Sequence, residues 1–190
     1  MKLFFDKNKI EAGCDEAGRG CLAGPVVAAA VILHQNESIN LLNDSKQLSE
    51  KKRKALVPII KEKALAYGIA FVDPATIDNI NILNASFLAM HKAVDDLLIR
   101  PELLLIDGNR FTPYPKIKHE CIVKGDSLYQ SIAAASVLAK EARDDFMREL
   151  HFQNPEYNWQ KNKGYPTKEH KLALLKNGSS KYHRKSFNVK

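Results

Sequence analysis

Nine consecutive apolar residues at positions 25–33 (PVVAAAVIL) place the strongest limit on what this chain can fold into. A strand with one wet face shows a polar residue at every second position. A short run with none reads as a strand buried on both sides, which requires a sheet with covering layers. Immediately upstream, residues 10–15 read as a second short strand that runs into two acids, Asp15 and Glu16. Gly18, Gly20 and Gly24 punctuate the segment between them. The spacing allows a hairpin, although its loop is not a standard tight turn.

The remaining elements follow from periodicity and breakers. Ser49 opens a helical pattern that carries Leu56, Ile59, Ile60 and Ala64, with Pro58 placed where it would bend or divide the helix. Residues 66–72 read as a third strand closed by Asp73-Pro74, and residues 81–98 as a helix. Residues 103–106 form a Leu-rich strand ending at Asp107-Gly108, and residues 121–123 a further short strand near Asp126. The longest helix is expected over residues 127–150, and a last one over residues 167–176, with Thr167 as its N-cap and Gly178 as its stop. This order predicts a mixed sheet with helices packed on it.

At 190 residues, the chain suits one domain with a modest extension and buries enough apolar surface to fold without staples. Cys14, Cys21 and Cys121 have no CxxC spacing, which excludes a disulfide framework or a zinc site. Cys14 and Cys121 read as small core residues. The first ten residues carry Lys2, Asp6, Lys7 and Lys9 with no long apolar stretch, so no signal peptide is expected there, and no apolar window reaches the length of a membrane span, so a cytoplasmic location is expected. The net charge is +7, and its excess is confined to the C-terminal region. Residues 151–190 hold nine Lys or Arg against two acids, while the rest of the chain balances twenty against twenty. Phe152, Tyr157, Trp159, Tyr165, Tyr182 and Phe187 lie in the same stretch, a combination suited to a nucleic-acid backbone and sugar surface, or simply to a solvated charged face.

Four acids share one feature. Asp15 and Glu16 end the first strand, Asp107 ends the Leu-rich strand, and Asp126 lies between a strand and a helix. Taken one at a time they are a turn residue, an N-cap or a solvated strand end. Brought together, four carboxylates repel and require cations, and hard oxygen ligands favour Mg2+ or Mn2+ over zinc. Such a cluster suits two-metal hydrolysis of a phosphodiester, and no Ser or His stands in a triad-like context.

The ordered motifs narrow this further. Residues 15–20 read DEAGRG, followed by LAGPVV at 22–27. Residues 44–49 read DSKQLS, and KGD at 124–126 precedes SIAAASVLAK at 131–140 and then Arg143-Asp144. Residues 162–167 read NKGYPT ahead of His170, and HRKSF stands at 183–187. In this order and at these spacings, across nearly the whole chain, they resemble the bacterial ribonuclease HII family.

The resemblance implies an α/β, ribonuclease H-like fold: a mixed five-stranded sheet flanked by helices over residues 1–150, with a C-terminal helical extension over residues 151–190 that contributes to substrate binding. It implies metal-binding, catalytic carboxylates at Asp15, Glu16, Asp107 and Asp126. It implies Mn2+ or Mg2+ as cofactor, two ions acting together, and a monomer whose substrates are RNA–DNA hybrids and duplex DNA with embedded ribonucleotides. Family cleavage falls 5′ of the ribonucleotide and leaves a 3′-hydroxyl and a 5′-phosphate. Gly18, Arg19 and Gly20 match the loop that senses the ribose, where glycine lets backbone approach a ligand and read the 2′-hydroxyl. Tyr165 matches the tyrosine that packs against that ribose, and Lys46 a lysine near the substrate phosphates. Arg143-Asp144 reads as structural. Cys21 stands where the family commonly has proline, so a looser loop is expected there. Two rivals remain at this point: another two-metal nuclease of the same fold, or a nucleic-acid binding module without catalysis.

Overall fold

The computed structural model describes residues 1–34, 38–42 and 48–187. A single five-stranded sheet runs in the order β3-β2-β1-β4-β5. Its strands are β1 (Glu11–Ala17), β2 (Val26–Leu33), β3 (Ala64–Val72), β4 (Leu103–Asp107) and β5 (Lys118–Ile122). β1, β2 and β3 pair antiparallel, whereas β4 and β5 join β1 in parallel. The expected mixed sheet and the β1–β2 hairpin are therefore both present.

Alternation along β2 accounts for its unbroken apolar sequence. Val26, Ala28, Ala30 and Ile32 enter one core, packed beneath α2 (Pro74–Asp95) with Ala85, Ala89 and Met90. Ala29, Val31 and Leu33 enter the other, against α1 (Glu50–Lys63) and α4 (Gln130–Gln153), with Leu56, Ile60 and Ala133–Ala135. Both faces are dry, so no position along the strand tolerates a polar side chain. The alanines of α4 let that helix settle close to the sheet. A Cβ on Gly13 of β1 would lie 2.3 Å from the backbone of Ser131 and Ile132.

Several boundaries differ from expectation. α1 runs through Pro58 undivided, with Ser49 Oγ capping Lys52 N–H. Asp73-Pro74 closes β3 after Val72, as expected, and also starts α2 earlier than expected: Asp73 caps the Thr76 N–H and Pro74 occupies the first turn, where it needs no donor. The expected start at Asn81 marks a kink inside α2, where Asn81 has φ 64° and its side chain caps Asn84 N–H. The expected helix over 127–150 divides into α3 (Gly125–Leu128) and α4, separated by an extended Tyr129. Cys14 is buried, but Cys121 is only half-buried because β5 is an edge strand.

After α4 come a 3-10 turn (Pro155–Tyr157), α5 (Trp159–Asn162) and α6 (Lys168–Asn177). Thr167 Oγ1 caps the His170 N–H, and Gly178 ends α6 at φ 75°, as its sequence signals indicated. Trp159 and Tyr157 do not form an exposed stacking surface: their rings stack at 5.0 Å in a buried cluster with Ala23, Met147 and Leu150. Among the described aromatics of this segment, Phe152 and Tyr165 remain substantially exposed.

Candidate active site

The site begins with two neighbouring strand ends. β1 and β4 pair in parallel through Cys14 and Ile106, so the next residue on each, Asp15 and Asp107, leaves the sheet side by side. Cys14 and Ile106 face the α2 core, and alternation turns Asp15 and Asp107 to the opposite face, toward α4. The third acid comes from the far side of β5. Lys124 takes a left-handed turn (φ 57°, ψ 38°) into α3, which carries Asp126. Oxygens of Asp15, Asp107 and Asp126 lie within 4.8 Å of one another.

Donors fix these carboxylates. The Glu16 N–H donates to Asp15 Oδ1 at 2.7 Å, and the Gly125 N–H donates to Asp107 Oδ1 at 2.7 Å. Ser136 on α4 donates to Asp15 as well. Burial of Asp15 still raises its pKa well above the usual carboxylate range, and the nearby charges of Glu16 and Asp107 push in the same direction. The cluster is thus electrostatically unfavourable without a counter-charge. Three convergent hard oxygen donors, two of them buried, suit a divalent cation.

Glu16 stands apart from this trio. One residue beyond Asp15, its Cβ turns to the other face of the strand, and its Oε1 accepts from Arg19 Nη1 at 3.1 Å. It nevertheless lines the same cavity of about 420 Å³, together with Asp15, Asp107, residues 17–20, Ser136, Lys140 and Tyr165. The expected ribose-reading loop, Gly18 to Gly20, and Tyr165 therefore open onto the space beside the carboxylates. Lys46 lies outside the described residues.

The loop is held from beneath. Arg143 is fully buried on α4, donating from Nε to Pro25 C=O (2.9 Å), from Nη2 to Ala23 C=O (3.1 Å) and from Nη1 to Lys163 C=O (2.9 Å). Arg184 is also buried and donates to the carbonyls of Gly24 and Arg19. The Leu22 N–H donates to Gly164 C=O at 2.8 Å, joining the loop to the segment that carries Tyr165. Cys21 is fully buried, and its N–H closes the turn onto Gly18 C=O at 3.4 Å, a bond for which proline has no donor. That bond offsets part of the expected loosening. Arg143 is structural, as its sequence context indicated; Asp144 accepts from Lys140 Nζ at 2.6 and 2.7 Å.

Two cavity residues were not singled out from sequence. Ser136 and Lys140 occupy positions i and i+4 on α4, with Arg143 a further turn along. Polar side chains at helical spacing within an alanine-rich, buried helix are the signal that would have found them. Lys140 Nζ lies 5.7 Å from the centroid of the Tyr165 ring, so a cation and an aromatic ring border the cavity together.

Fold and site together define a class: a ribonuclease H-like α/β protein with a carboxylate cluster that could hold a divalent cation. The fold matches that of ribonuclease H2 from Pyrococcus horikoshii with a TM-score of 0.79 and 24% identity, covering 94% of each chain. It also matches Bst-RNase HIII solved in complex with Mn2+, with a TM-score of 0.68 and 21% identity, over 87% of this chain and 60% of that one. Sequence carries the family. The family model for ribonuclease HII matches residues 12–190. The ribonuclease HII of Bacteroides thetaiotaomicron is 60% identical over 186 residues, covering 98% of this chain and 93% of that protein. That of Christiangramia forsetii is 58% identical over 189 residues, covering 100% and 96%. The chain belongs to the ribonuclease HII family.

Proposed function

We infer that this chain is a metal-dependent endoribonuclease that cuts RNA strands paired with DNA and single ribonucleotides embedded in duplex DNA, on their 5′ side. The observation that carries this reading is the convergence of Asp15, Asp107 and Asp126, with Asp15 and Asp107 lining one cavity beside a glycine-rich loop. Asp15 and Asp107 would hold the shared metal region, and Glu16 and Asp126 would complete the sites for two ions, Mg2+ or Mn2+. When bound, the ions lower the pKa of the attacking water and stabilise the charge on the departing oxygen. Burial and the neighbouring carboxylates hold the Asp15 pKa well above the usual carboxylate range, and a cation held there would supply the counter-charge that the cluster lacks.

The protein's own groups set the selectivity. Backbone of Gly18, Arg19 and Gly20 reads the 2′-hydroxyl, because glycine leaves room for close approach. Tyr165 packs against the ribose, and Lys140 offers positive charge to a neighbouring phosphate. Water then attacks phosphorus, the P–O3′ bond of the preceding nucleotide breaks, and the products carry a 3′-hydroxyl and a 5′-phosphate.

The test is cleavage of duplex DNA carrying one ribonucleotide beside an all-DNA duplex, each with and without Mg2+ or Mn2+. Cutting confined to the ribonucleotide duplex with metal present is expected, and Asp107→Asn should lower it by orders of magnitude, at least about 100-fold. Equal cutting of both duplexes would point to a DNA nuclease of the same fold. Metal-independent binding with no cutting would leave only a binding module.

A further inference from the structure

We propose that His170 and His183 form a hydrogen-bonded relay that positions Tyr165 for the ribose; this rests on the reading of Tyr165 given above. Both histidines are buried, at 0% and 4% exposure, and neither reaches the cavity. Their proton positions follow from groups that can only donate. The Ser180 backbone N–H meets His183 Nδ1 at 3.0 Å, so that nitrogen accepts and the His183 proton sits on Nε2. The Trp159 indole N–H meets His170 Nε2 at 3.1 Å, so that nitrogen accepts and the His170 proton sits on Nδ1.

Under these assignments the single lone pair of His170 Nε2 is shared between two donors, the Trp159 indole N–H and His183 Nε2–H. His183 Nε2–H points at the bare His170 Nε2, 3.2 Å away. His170 Nδ1–H points at the Tyr165 carbonyl, 2.9 Å away. A directed chain therefore runs from Ser180 through both rings to the backbone of Tyr165, and exchanging the tautomer of either ring would set donor against donor.

Packing keeps the chain in place. The Tyr157 ring lies 4.7 Å from His183, and the Trp159 ring 5.5 Å from it, centroid to centroid. The Tyr165 carbonyl accepts a second bond from Thr167 N–H, and the Tyr165 N–H donates to Asn162 C=O. The relay thus ties the Tyr165 backbone to His183 and the rings around it, while the Tyr165 side chain is held separately by a hydrogen bond with Cys21 and by Lys140 and Arg143 beside its ring. The relay gives the C-terminal cluster a role in ribose selection, with His170 and His183 as positioning residues.

Asparagine and glutamine at position 170 separate the two ends of the ring. The Asn amide falls near the place of Nδ1 and keeps a donor for Tyr165. The Gln amide falls near the place of Nε2 and leaves the Tyr165 carbonyl without that donor. Variants H170N and H170Q are to be compared for melting temperature, for kcat on a single-ribonucleotide duplex, and for Kd on an all-DNA duplex. H170Q is expected to lose about tenfold in kcat, with H170N within about threefold of the parent and Kd unchanged in both. Equal losses in the two variants, or none in H170Q, would overturn the positioning of Tyr165 through the Nδ1 donor. Because H170N also lacks the Nε2 that meets His183, the His183 link is read from His183→Asn, whose amide keeps the Nδ1 place and loses the Nε2 donor: a several-fold loss of kcat with Kd unchanged is expected, and an unchanged kcat would remove His183 from the relay. Should both variants unfold, nitrogen NMR of the parent imidazoles decides: a bare Nδ1 on His170, or a protonated Nδ1 on His183, rejects it. Y165A serves as the control on the underlying reading. If Y165A cuts the ribonucleotide duplex normally, it is the ribose role of Tyr165 that fails, whatever H170Q does.

Discussion

Gly18 shows how much the site asks of a single residue. Its φ is +95°, and a Cβ there would lie 2.0 Å from Arg143 Nε, on a guanidinium already pinned by three carbonyls. Neither partner can yield cheaply, and the strained backbone alone costs about 1–3 kcal/mol. Gly20 has an ordinary φ and nothing within 4 Å of a built Cβ. Gly18→Ala should therefore lower the melting temperature by several degrees, while Gly20→Ala should leave it unchanged, as read by calorimetry on both variants. A matched drop in the two would mean that Arg143 does not set the shape of the loop. The need for glycine was visible in DEAGRG, but the reason was not: Arg143 stands 125 positions away in sequence and meets the loop only through the fold. Asp15 and Asp107 were legible because each ends an apolar run abruptly. Ser136 and Lys140 were not, since the helix that carries them reads first as a packing element.

At the scale of elements, the C-terminal segment holds a small buried hydrogen-bonded unit, Tyr157, Trp159, His170 and His183, beneath helices whose other faces are largely exposed. Burial lowers the pKa of His170 and takes that of His183 down to about 4. Folding thus favours the neutral rings. Their contribution to stability is complete above the ordinary histidine range, shrinks as the pH falls below about 6.5, and is gone near the folded pKa of about 4. Asp15 acts in the opposite direction, because a raised carboxyl pKa makes the folded state gain from acid. The clean readout is a difference: between pH 7.5 and 5 the parent should lose more melting temperature than His183→Gln does. Parallel curves would mean that the pair does not titrate with folding. Composition could not reveal this unit, since aromatic residues among lysines look alike whether they face water or one another. β5 was half-legible for a related reason. As an edge strand it carries Lys118 and Glu120 outward and lacks the apolar signature that marked β2 and β4.

Taken whole, the molecule divides its labour between a sheet that delivers acids and a C-terminal segment that supplies positive charge and Tyr165. The sheet order was readable only in part: strand and helix signals indicated a mixed sheet, but the placement of β4 against β1, which sets Asp107 beside Asp15, is a property of topology. No described helix is long and apolar enough to cross a membrane. Everything proposed for catalysis depends on Asp15, Asp107 and Asp126 holding divalent cations between them. Anomalous X-ray scattering from crystals soaked in Mn2+ examines this most directly. The expected result is manganese density bounded by oxygens of those three aspartates, lost when Asp107 is replaced by asparagine. Manganese bound elsewhere on the protein, with none among the three carboxylates, would contradict it.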